Sequence, residues 1–160
     1  MKRISTLAAA AALTLAACTN NPIAVSSQTI LDTQLASVGL RTIVAVLSST
    51  NKAPAADIVI ANAALSALND ALTQARSGTL TDASLAEIAR DRVTTLAPIL
   101  LSDFNANATI TEGVTDLVNL LPLILAEAGL KAPTTAAAPL NARADVRKTM
   151  MVFVAKHPAR

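Results

Sequence analysis

Ile58, Ala61, Leu65, Leu68, Leu72 and Ala75 recur at alternating intervals of three and four residues. Only a helix of 3.6 residues per turn gathers such positions onto one face, so this segment is predicted to be helical and to bury that stripe. The same period returns twice downstream. Leu85, Ile88, Ala89, Val93, Leu96 and Leu100 predict a second helix, and Ile110, Val114, Leu117, Leu121, Ile124 and Ala128 a third. Upstream, 28–48 reads as a helix with Leu31, Leu35 and Val38 on one apolar stripe. Its second half (Leu40, Ile43, Val44, Val46, Leu47) is apolar on more than one side and should be the most enclosed. Hydrophobic residues make up 52% of the chain but aromatics only 1%, Phe104 and Phe153. A core of Ala, Leu, Ile and Val without large rings requires helices that approach closely.

The breaks are equally legible. A polar run at 48–52 ends the first helix, and Pro54 opens the second, since a first-turn proline lacks only an N–H that would have no partner. Ser77-Gly78 and Gly129 are stops, glycine being free to take the left-handed turn after a helix. The third helix is expected to begin around Thr81, with Ser84 and Glu87 offering a second reciprocal capping pattern, and Thr109 with Glu112 fits the same pattern before the fourth. Pro98 and Pro122 fall in matching contexts within the third and fourth helices, where each costs about 3 kcal/mol and bends the helix. They are expected to kink continuous helices, and the paired kinks either only curve the bundle or leave room for a small apolar ligand between the two helices. Four helices with short connections predict an all-α, antiparallel up-down bundle over 28–130.

The N-terminus follows other rules. Met1-Lys2-Arg3 is basic, Leu7 to Ala17 is apolar apart from Thr14, and Leu15-Ala16-Ala17-Cys18 ends the stretch with the only cysteine. At 15 residues, Ile4 to Cys18 falls short of the ~20 that a membrane-spanning helix needs. An export signal fits better. The segment resembles the lipobox signal of bacterial lipoproteins. That resemblance implies cleavage between Ala17 and Cys18, acylation of Cys18, and membrane attachment by more than one chain, which holds where a single chain holds weakly. Thr19 stands where an Asp would favour inner-membrane retention in such proteins, which implies the outer membrane. Residues 1–17 are then signal peptide, and 18–27 the acylated cysteine and a tether reaching at most ~30 Å.

Residues 18–130 carry five basic residues against ten acidic, a net charge of −5, whereas 131–160 carry six basic against Asp145 alone, a net of +5. An Ala/Pro run at 132–139 joins the two. The basic tail is expected to be a short helix headed by Asn141, with Val146, Met150, Phe153 and Val154 on one face and Arg143 and Arg147 at its rim. A strand over 150–154 is the alternative. Such a segment folds back on its own acidic bundle, stays solvated, or docks on an anionic lipid or envelope protein through Arg143, Arg147, Lys148 and Phe153. Lipoproteins tied to peptidoglycan end in lysine; this chain ends His157-Pro158-Ala159-Arg160.

Catalytic chemistry finds no foothold. His157 is the only histidine, no serine sits in a G-x-S-x-G elbow, and Gly39, Gly78, Gly113 and Gly129 are too far apart for a phosphate loop. An acylated Cys18 has no thiolate to offer, and the inward Glu-x-x-His pairs of di-metal bundles are missing. No metal, no cofactor and no catalytic residue is expected. Nucleic acid is not a predicted partner, because no basic stripe carries interleaved aromatics. The sequence therefore reads as a non-enzymatic outer-membrane lipoprotein whose helical body meets an envelope or surface protein. A carrier of a small apolar ligand and a phage-related exclusion or lysis lipoprotein are the alternatives.

Overall fold

The computed structural model describes residues 25–49, 54–103, 107–130 and 140–158, and among these the chain is all-helical, without a strand. Five helices follow in order: α1 (Ser27–Ser49), α2 (Ala55–Arg76), α3 (Asp82–Asp103), α4 (Ala108–Glu127) and α5 (Leu140–Lys156). The first four pack in a ring, each against its neighbours in sequence and α4 back against α1. α5 lies over the seam between α1 and α4. The expected signal peptide, Cys18, the expected tether up to residue 24 and the Ala/Pro run lie outside the described residues. The last tether residues are corrected to part of the body: Ser27 opens α1, and the Ser26 N–H donates to Asp82 Oδ1 at 2.9 Å.

The three periodic stripes face the core. Ala61, Leu68, Leu72 and Ala75 of α2 are buried, as are Leu85, Ala89, Val93, Leu96 and Leu100 of α3 and Ile110, Val114, Leu117, Leu121 and Ile124 of α4. Leu40, Ile43 and Leu47 close the same core from α1. α3 and α4 continue through Pro98 and Pro122. Two helix ends share one stop: Gly78 and Gly129 adopt φ of 74° and 72°. In each turn the residue after the glycine donates its N–H five residues back, Thr79 to Gln74 at 3.0 Å and Leu130 to Leu125 at 2.9 Å.

α3 starts where expected, with Thr81 ahead of it: the Thr81 Oγ1 accepts the Ser84 N–H at 3.1 Å, which leaves Ser84 in the first turn and not at the cap. Asn107, not Thr109, caps α4, its Oδ1 accepting from the N–H groups of Thr109 and Ile110 at 3.1 and 3.2 Å. In both cases a side chain with a short reach stands one residue ahead of the helix, where the orphan donors point at it.

The larger correction concerns the first half of α1. Leu31, 56% exposed, and Val38, 37% exposed, face outward, and the helix buries Thr29, Asp32, Thr33, Ala36 and Ser37 instead. Leu35, the middle of the expected stripe, is half-buried and packs against the core, while small side chains take the rest of the inner face. Ser37 Oγ donates to Asn69 Oδ1 at 2.7 Å across the α1–α2 contact.

By length and composition α1, α2 and α4 could each cross a membrane. In the folded chain their apolar stripes are spent on one another. The outer face of α2 carries Asn62, Ser66, Asp70 and Gln74, groups that hydrocarbon disfavours.

Candidate functional site

α5 is a helix, not a strand, and begins at Leu140. Its inner face is that of Val146, Met150, Phe153 and Val154, all packed on the core shared by the other helices. Two glycines in the middle of facing helices receive it. A Cβ at Gly39 of α1 would lie 2.5 Å from Met150 Sδ, and one at Gly113 of α4 would run into the Phe153 ring. Each glycine is thus a hole into which a side chain of α5 fits. Phe153, expected as a partner contact, has no exposed surface; it is corrected to a core residue, because the α1–α4 seam offers a socket for its ring.

The arginines are engaged within the chain. Arg147 grips Asp32 with two parallel bonds, Nε to Oδ1 and Nη2 to Oδ2, both 2.7 Å. Asp32, only 2% exposed, also accepts from Gln28 Nε2 at 3.1 Å. Glu127, at the end of α4, receives Arg147 Nη2 at 3.4 Å and Arg143 Nη1 at 3.5 Å. The two-pronged bond to Asp32 pushes the Arg147 pKa further above its ordinary value, against the opposing effect of burial. Lys156 pairs with Glu112 at 3.7 Å across the opposite end of α5. Lys148 alone of the expected basic contacts is exposed and has no ion pair among the described residues.

What sequence reasoning missed is Asp32. An acid inside an otherwise apolar and small-residue run is the available signal, but its partner lies on another helix far along the chain. The pairing corrects the expectation that Arg143 and Arg147 present free charge to a partner.

Two carboxylates are perturbed. Burial raises the Asp57 pKa above its usual 3.8, and a hydrogen bond to Asp103 and that group's charge raise it further. Burial also raises Asp116, with Glu112 adding to the rise and Lys156 opposing it. A raised folded-state pKa means that the folded chain binds the proton more tightly than the unfolded one. The stabilisation is therefore full below the unfolded value and is lost as pH climbs through the folded one. Melting temperature should rise as the medium is acidified from neutrality toward the carboxylate range. Asp57→Asn should be more stable than the parent at neutral pH, with a flatter pH profile. Parallel profiles for parent and variant would show that Asp57 does not carry the effect.

Grooves lined by described residues mark the surface, among them three between helices. One of about 300 Å³ lies between α1 and α5, lined by Gln28, Leu31, Leu35, Val38, Arg147 and Met151 among others. A second, about 200 Å³, lies between α2 and α3 beside Val59, Ile60 and Arg92. The third, about 660 Å³, lies between the ends of α1 and α5 beside Ser48, Ser49 and His157. Pro98 and Pro122 line none of them. Among the described residues no three His, Cys, Asp or Glu side chains gather as metal ligands. No protein-family model, no curated protein and no solved structure matches this chain.

Proposed function

We propose that this chain is a non-enzymatic lipoprotein of the outer membrane: a helical body hung from acylated Cys18 by residues 19–26 and acting by contact with the envelope. The observation that carries the reading is the order of its N-terminus, basic Lys2-Arg3, an apolar run, then Leu15-Ala16-Ala17-Cys18. A single cysteine in an exported chain is best accounted for by lipid attachment, which leaves no reactive thiol. A folded helix begins soon after, at Ser27.

In this reading the body is an up-down bundle braced by α5. Bonds between opposite helix ends support that arrangement. Arg76, at the end of α2, donates to Gln34 near the start of α1 at 2.9 Å. Asp57 at the start of α2 lies close enough to Asp103 at the end of α3 for that group to raise its pKa. Lys156 at the end of α5 meets Glu112 near the start of α4.

Cys18→Ser should leave an uncleaved precursor that is missing from the outer-membrane fraction. Fractionation and the mass of the N-terminal peptide check this together. A variant that is still cut at Ala17 and still sediments with the outer membrane would overturn the reading.

A further inference from the structure

We infer that the outer seam between α1 and α5 lies flat on the anionic phospholipid surface to which the chain is anchored; this rests on the lipoprotein reading above. α1 begins by burying threonines and exposing leucine and valine, the reverse of the usual division. Beside Leu31 and Val38, α5 sets Met151, 57% exposed. Leu31, Leu35, Val38 and Met151 together wall the groove between the two helices.

The charges around this apolar strip are of one sign. Arg41 continues the exposed stripe of α1, three residues after Val38, and Lys148 precedes Met151 by three on α5. Both are exposed, and neither has a hydrogen bond or ion pair among the described residues. The acids of the seam are turned inward: Asp32 is buried under Arg147, and Glu127 is held by Arg143 and Arg147. Helical spacing puts Ala144, Lys148, Met151 and Ala155 on the α1 side of α5. Asp145 falls on the other side with Lys156, which reaches Glu112 of α4. An apolar strip flanked by unpaired cations is the pattern that settles into a headgroup layer and is drawn to anionic lipid.

Its location agrees. Gln28 and Leu31 lie in the first turns of α1, and residues 19–26 span no more than ~30 Å when extended, so the near end of the seam is within reach of the bilayer that holds Cys18. The rival apolar groove, beside Val59 and Ile60, belongs to the start of α2, at the far end of α1 from the tether. Its cation Arg92 already faces Asp91 at 3.7 Å.

The test uses the full-length protein purified from cells. Once Cys18 is acylated, a single introduced cysteine takes an environment-sensitive label, at Met151→Cys or, on the rival groove, at Val59→Cys. Each is placed in vesicles of phosphatidylcholine alone or of phosphatidylcholine with phosphatidylglycerol. The expected result is a blue-shifted emission, quenched by lipid-borne quenchers, at Met151→Cys in the anionic vesicles. The shift should be weaker in the neutral ones and missing at Val59→Cys. Adding Arg41→Gln and Lys148→Gln should remove the shift while the anchored protein still sediments with the vesicles. An unmodified Cys18 thiol by mass overturns the lipoprotein reading and this one with it. An acylated Cys18 with an unshifted label at residue 151 overturns this one alone. So does a shift at residue 59 instead, or an equal shift in both vesicle types.

Discussion

Leu68→Asp should abolish the fold. Leu68 has no exposed surface and sits at the centre of the α2 stripe, within the core it shares with the other helices. Truncating a buried leucine to alanine already costs 2–5 kcal/mol at typical core sites, roughly the scale of the cavity left behind. An aspartate adds a charge with no partner in an apolar surrounding, which costs several kcal/mol more. Against a total stability on the order of 5–15 kcal/mol, little folded protein should remain. Circular dichroism at room temperature should show loss of helix, and Leu68→Ala should melt early but cooperatively. Leu31→Asp is the matching control. Leu31 is more than half exposed, so its change should fall within about 0.5 kcal/mol of the parent. A cooperative, near-parental melt for Leu68→Asp would dismiss the core assigned to α2.

Arg147→Leu should be the most damaging change outside the apolar core. It leaves Asp32 buried with only the Gln28 amide beside it and removes one of the two arginines on Glu127. Removing one partner of a buried ion pair typically costs about 3–5 kcal/mol, most of it the uncompensated charge left behind. For a chain of this size that is a fall in melting temperature of roughly 6–20 °C. Adding Asp32→Leu should recover much of the loss, because the orphaned charge is then gone as well. The double variant separates a network that stabilises by mutual pairing from one that merely tolerates its own desolvation. If Arg147→Leu melts with the parent, Asp32 is reached by water and the latch between α1 and α5 is not energetic.

How far the sequence could be read depended on which physical rule governed each segment. α2, α3 and α4 have large apolar residues on one side and polar ones on the other, so periodicity alone finds their buried faces, and Gly78 and Gly129 mark where two of them end. In α1 that rule misleads. Small side chains take most of the inner face there: Thr29, Thr33 and Ala36 go in, Leu35 is half-buried, and Leu31 and Val38 stay out. Periodicity counts hydrophobicity and does not count the space between helix axes. One cap failed for a related reason: Asn107 wins by standing ahead of the first turn of α4, and the four-residue capping pattern at Thr109 matched inside the helix just as well. The tail was legible as a charge excess facing an acidic bundle. That it is satisfied through Asp32 and Glu127, and that Phe153 is core, depends on contacts between residues far apart in sequence. No local pattern encodes them.

Gly39 and Gly113 lie inside long helices, where each costs the helix about 0.5–1 kcal/mol relative to alanine. Neither α1 nor α4 gains from its own glycine. The return comes only when Met150 and Phe153 of α5 occupy the spaces left by the missing methyl groups. The seat of α5 is therefore inscribed in α1 and α4. Without α5 the other four helices would carry two weak points and an uncovered acid at Asp32. They reach their most favourable state only with α5 in place, so a helix that looks peripheral to the ring decides whether the ring itself is well made.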